Sequence, residues 1–137
     1  MSAIRKVMLC LTMASGLACA ETLPDHDNRI FTAVPVAKLS ASDLASAFVA
    51  DRTAADRRFG GRAVEVSGTV RNFDPASPES APILLQAGDA DQWVRAALHP
   101  DRAVEIRKTL ADGQRTTLRC FCEGLTDHVQ LKSCVVP

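Results

Sequence analysis

A chain of 137 residues, 47% of them hydrophobic, has a one-domain length and can supply a real core. Its sixteen basic residues balance sixteen acidic ones, and no run of five like charges occurs. This composition excludes a polybasic arm and argues against sequence-independent affinity for phosphate backbones, which comes from clustered Lys and Arg.

Residues 1–20 read as a secretory signal peptide: Arg5 and Lys6, an apolar run from Val7 to Leu17, then Ala18, Cys19 and Ala20. The run is shorter than the roughly 20 apolar residues that a membrane-spanning helix needs. Cleavage after Ala20 would release a chain starting at Glu21, whereas a lipoprotein signal would leave Cys19 acylated. The second signal usually has Leu three residues before the cysteine, and Gly16 stands there. Soluble export to the periplasm is the expectation, with a lipid anchor on Cys19 the alternative and the only route to a membrane. Removing Arg5 and Lys6 leaves fourteen basic residues against sixteen acidic ones.

Residues 21–38, with Pro24 and Pro35 and little periodicity, read as an exposed leader, and 39–137 as the folded domain. A helix starts at Ala41, with Ser40 as cap and Leu39 placed to staple onto Leu44. Leu44, Phe48, Ala55 and Phe59 fall near one face, which predicts a single helix of nearly twenty residues stopped by Gly60 and Gly61. Residues 62–73 alternate as a strand with Val64, Val66 and Val70 inward, and Gly68 within it predicts a bulge or sharp bend.

A proline-rich loop covers 74–82, and strands are expected at 83–86 and 92–98 around a turn at 87–91. A second helix runs from His99-Pro100-Asp101 to about Leu110, and two strands follow at 114–122 and 129–135. The fold class is therefore a β-barrel with helices. Its five strands, N-terminal helix and helix between strands three and four are the layout of an oligonucleotide/oligosaccharide-binding (OB) fold.

The sequence resembles the small exported OB-fold family named tRNA_anti-like, many of whose members are regarded as lipoproteins. The resemblance covers roughly Leu39 to Val136 and rests on Leu44, Phe48, Asp51, Ala55, Asp56, Phe59, Gly61 and Arg62. Val64, Val66 and Gly68 follow, then Cys122, Gly124, Leu131 and Cys134. Asp51 and Phe59 depart from the family's Asn and Tyr. The resemblance implies a fold and an exported location, and no catalytic residues.

Three cysteines remain after the signal, and in an oxidising compartment two are expected to pair. Cys120 and Cys122 share a strand face, and a tight hairpin places Cys134 nearer Cys120. The family resemblance instead implies a Cys122–Cys134 link, the pairing expected here with Cys120 as the alternative partner. His26, His99 and His128 show no metal-ligand spacing and read as solvated loop residues, so no metal and no cofactor are expected. No nucleophile, base and orienting group form a set.

The groove of an OB barrel lies on strands two and three between the loops after strands one and four, here 74–82 and 123–128. Candidate groove residues are Trp93 and Arg95, which share a face at period two, with Arg71 and Phe73. Trp93 also suits a half-buried structural role. The function expected is a non-catalytic module that binds a protein or glycan of the cell envelope. Single-stranded nucleic-acid binding is the alternative, and a thiol redox or soft-metal factor built on Cys120 and Cys122 is the third.

Overall fold

Alternating valines make one long strand around which the other elements close. The computed structural model describes residues 26–88 and 92–137, so the signal peptide with Cys19, the first five leader residues and part of the 87–91 turn lie outside the described residues. The strands are β1 (Ala37–Ser40), β2 (Ala63–Arg71), β3 (Ile83–Gln86), β4 (Trp93–Leu98), β5 (Arg115–Leu125) and β6 (Val129–Val135). The helices are α1 (Ala41–Ala50), α2 (Arg52–Phe59) and α3 (Pro100–Thr109). Sheet order is β1-β2-β3-β4-β6-β5, and a further β2–β5 pairing closes β2 to β6 into a five-stranded barrel. This is the expected OB arrangement, with β1 added in parallel to β2.

The inward side chains follow from the period of two. Val64, Val66, Val70, Ile83, Leu85, Val94, Ala96, Leu118 and Leu131 are all buried in one core, to which α1 and α2 add Leu44, Phe48, Ala55 and Phe59. Ser40 caps α1, its Oγ accepting the Asp43 N–H at 3.0 Å. The expected single helix is two. Asp51 adopts extended backbone angles between them, donates its N–H to the Ala47 carbonyl, and accepts the Ala54 N–H on its carboxylate. One residue ends α1 and caps α2, and because Asn and Asp cap about equally well, the exchange with the family's Asn is conservative here. Gly61, at φ +71°, turns the chain into β2.

Gly68 does not form the expected bulge, since the β2–β5 register runs through it without a shift. It sits where the other edge of β2 passes from β1, paired at Val64 to Ser67, to β3, paired at Thr69 to Arg71. A Cβ there would stand 3.1 Å from the Cβ atoms of both Ala41 and Leu85. A side chain there would press on both, so glycine suits the close packing of the helix end on the strand.

The expected exposed leader is only partly so. Asn28–Phe31 forms a 3₁₀ turn, and Ile30 is buried in a second cluster with Ala63, Phe121 and Val135. The Asp27 N–H donates to Ser133 Oγ, and Arg119 Nε donates to the Ile30 carbonyl. Sequence periodicity misses such a segment because it packs through one side chain and backbone groups. Among the described residues no helix is long and apolar enough to cross a membrane.

Candidate binding face of the barrel

Barrel registry sets outward side chains in rows. Arg71 lies opposite Leu84, Leu84 opposite Arg95, and Arg95 opposite Gln130. A second row runs from Arg115 through Thr69 and Gln86 to Trp93. Arg71 and Arg95 flank β3, two inter-strand steps or roughly 10 Å apart. No carboxylate occupies any of these eight positions.

Trp93, half-buried, and the exposed Arg95 line a recess of about 350 Å³ with Leu84, Pro82, Asp127 and His128. A smaller recess of about 190 Å³ at the other end of the face holds Gln86, Thr69, Arg115 and Ser42. The structure therefore brings Trp93, Arg95 and Arg71 together on one face. It adds Arg115, Thr69, Gln86 and Gln130, which the sequence alone did not single out. Arg115 joins only because β5 closes onto β2, a pairing between residues far apart in the chain.

Phe73 does not join them. Asn72 has a positive φ of 56°, turning the chain away from β2, and the Phe73 ring lies 4.9 Å from the Arg107 guanidinium of α3. Arg107 also donates to the carbonyls of Asp74 and Ser77, so it holds the proline-rich loop against α3. Phe121, buried beside Ile30, is likewise off the face.

The disulfide joins Cys120 to Cys134, with Cα atoms 4.2 Å apart, and leaves Cys122 buried and free. This overturns the Cys122–Cys134 pairing. The β5–β6 register sets Cys122 opposite Leu131 and shifts between Phe121 and Arg119, where Ser133 adopts φ +56°. The resulting bulge turns Cys134 inward beside Cys120. Burial pushes the Cys122 thiol up to about 11, with the Asp56 and Glu123 charges acting in the same direction. With Cys120 in the disulfide, the Cys120-Phe121-Cys122 sequence offers no thiolate at neutral pH.

His99 is not a solvated loop residue but fully buried. Its Nδ1 accepts the Asp101 N–H at 3.1 Å, capping α3, so its Nε2–H donates to Asn28 Oδ1 at 2.8 Å. The rings of His26 and Phe31 pack against it at 4.8 and 4.7 Å. Burial holds its pKa below the ordinary value, against the opposing effect of Asp101.

The family model tRNA_anti-like matches residues 5–135. No curated protein matches the chain. Among solved structures, a Klebsiella pneumoniae subsp. pneumoniae MGH 78578 protein described as a "putative nucleic acid-binding lipoprotein" is similar at 13% identity and a TM-score of 0.54. The similarity covers 80% of this chain and 97% of that one. At that identity the likeness is one of fold.

Proposed function

This chain belongs to the tRNA_anti-like family, and on that footing we propose that it is a non-catalytic, exported binding module that takes a protein or glycan of the cell envelope across its outer barrel face. The observation that carries this reading is the continuous surface formed by the Arg71–Leu84–Arg95–Gln130 and Arg115–Thr69–Gln86–Trp93 rows. It is centred where OB barrels take extended ligands, on the barrel's second and third strands, β3 and β4, and spreads onto β2, β5 and β6. The Cys122 thiol, pushed up to about 11, weighs against the redox alternative. Single-stranded nucleic acid is the second reading, favoured by three arginines beside a tryptophan; it requires affinity that falls steeply with salt.

The test is surface plasmon resonance of the chain against a glycan array and solubilised envelope proteins, in parallel with a Trp93→Ala/Arg95→Ala double variant whose melting is unchanged. A ligand held by the wild type and lost by the variant supports the reading. Equal binding by both would move the site off this face, and chemical turnover of the ligand would refute a non-catalytic role.

A further inference from the structure

The arginines of the outer face make no ion pair within the described residues. The side chains of Arg71, Arg95 and Arg115 enter no hydrogen bond, ion pair or aromatic contact there. By contrast, Arg29 pairs with Asp27, Arg52 bonds the Leu125 carbonyl, Arg102 lies over Phe31, Arg107 holds the proline-rich loop, and Arg119 holds the Ile30 carbonyl. Arg57 and Arg62 also lack partners but sit at the end of α2, away from the strand rows. Opposite charges across neighbouring strands stabilise a sheet, and here the cross-strand positions between the cations carry Leu84, Gln86 and Thr69 instead. Asp127 lines the recess that holds Trp93 and Arg95, without an ion pair to Arg95.

The chemistry between the cations narrows the ligand. Thr69 supplies a hydroxyl and Gln86 and Gln130 their amide oxygens, neutral groups suited to hydroxyls. The Gln130 amide nitrogen donates to the His128 carbonyl and Thr126 Oγ1, and that of Gln86 to the Gly88 carbonyl. Trp93 is the single aromatic side chain on the face, since Phe73 and Phe121 are packed elsewhere. Single-strand binders lay successive bases on several aromatic rings. One ring platform, spaced guanidinium groups and intervening amides suit a sugar chain carrying carboxylates, which arginine can hold through two parallel hydrogen bonds.

Resting on the reading of this face as the binding surface, we propose that it takes an acidic oligosaccharide. Carboxylates of the ligand pair with Arg71, Arg95 and Arg115, and one sugar ring stacks on Trp93. The occupied face has its charge complemented along the whole length of both rows.

Trp93 is the sole tryptophan of the chain, so its fluorescence reports directly on the site. The full exported chain is titrated with a hexagalacturonate, with the same hexamer fully methyl-esterified, and with a dodecathymidylate. The expected result is a saturable change with the acidic hexamer and at least tenfold weaker binding of the ester. Arg71→Ala, Arg95→Ala and Arg115→Ala should each lose about tenfold, the factor that one charge-assisted contact commands. These side chains are exposed, so the variants fold.

Equal affinity for the ester overturns the acidic ligand and leaves the face as the site. Tighter binding of the dodecathymidylate overturns it in favour of nucleic acid, again at this face. No response to any of the three probes overturns the proposal; the face itself is then judged separately by the Trp93→Ala/Arg95→Ala comparison against envelope protein.

Discussion

Removing the Cys120–Cys134 link should cost far more than removing Cys122, the reverse of what the family-implied pairing requires. The bond spans a sequence separation of 14, and closing a loop of that size restricts the unfolded chain by about 3 kcal/mol. In a domain of this length each kcal/mol moves the melting midpoint by roughly 4–8 °C, so the loss should be about 12–24 °C. Cys120→Ala alone frees Cys134 to react with Cys122, so the clean measurement is the Cys120→Ala/Cys134→Ala double variant. Cys122→Ala removes one buried sulfur that packs as a small apolar group, for about 1 kcal/mol. The assay is thermal unfolding by circular dichroism with and without reductant. Reductant should bring the wild type down to the double variant and leave the double variant itself unmoved. Thiol titration of the exported protein should find one group, reactive only after denaturation. A Cys122→Ala variant as damaged as the double variant, or a thiol that reacts at once in the native state, would refute the reasoning.

Two further predictions concern the helix ends. His99 has a folded-state pKa below its ordinary 6.5 because burial disfavours the charged form, so its contribution to stability is full above about pH 6.5 and is lost as pH falls through the lower folded value. Protonating Nδ1 also removes the acceptor for the Asp101 N–H. The groups facing it are His26, Asp27, Asn28 and Phe31 from the N-terminal segment and Asp101 and Arg102 from α3. The fall in melting midpoint between pH 7.5 and 5 should therefore be smaller in His99→Gln than in the wild type, and equal falls would remove His99 from the account. Asp51→Ala should cost about 1 kcal/mol through the lost α2 cap, while Asp51→Asn should be near neutral; urea unfolding of the two variants decides this, and equal losses would show that charge, not capping, matters at that position.

Local rules account for most of the elements. Ser40 before an apolar-periodic run, His99-Pro100-Asp101 at a helix start, and the valine alternation of β2 each act within a few residues, so the sequence alone places α1, α3 and the barrel strands. The strands at Ile83–Gln86 and Val129–Val135 have the bounds their patterns imply. Asp51 shows how a local signal is overridden: the apolar face continues through it, yet its own side chain is a better cap than a helix interior residue. A trace of the β6 bulge is also present, because Val129 and Leu131 share a parity that inward-facing Cys134 breaks. With no knowledge of which residues β5 opposes, that break cannot be converted into a pairing.

Tertiary structure alone decided what depends on registry between distant segments. Cys120 meets Cys134 through the bulge at Ser133, Arg115 reaches the binding face through barrel closure onto Thr69, and Ile30 finds its cluster against Phe121 and Val135. Phe73 leaves the face because Asn72 turns the chain and Arg107 receives the ring. Chain composition determined a small barrel core and the residue types available to its surface. Which side chains stand beside one another was settled by strand register, where a shift of one residue reverses the face to which a side chain belongs.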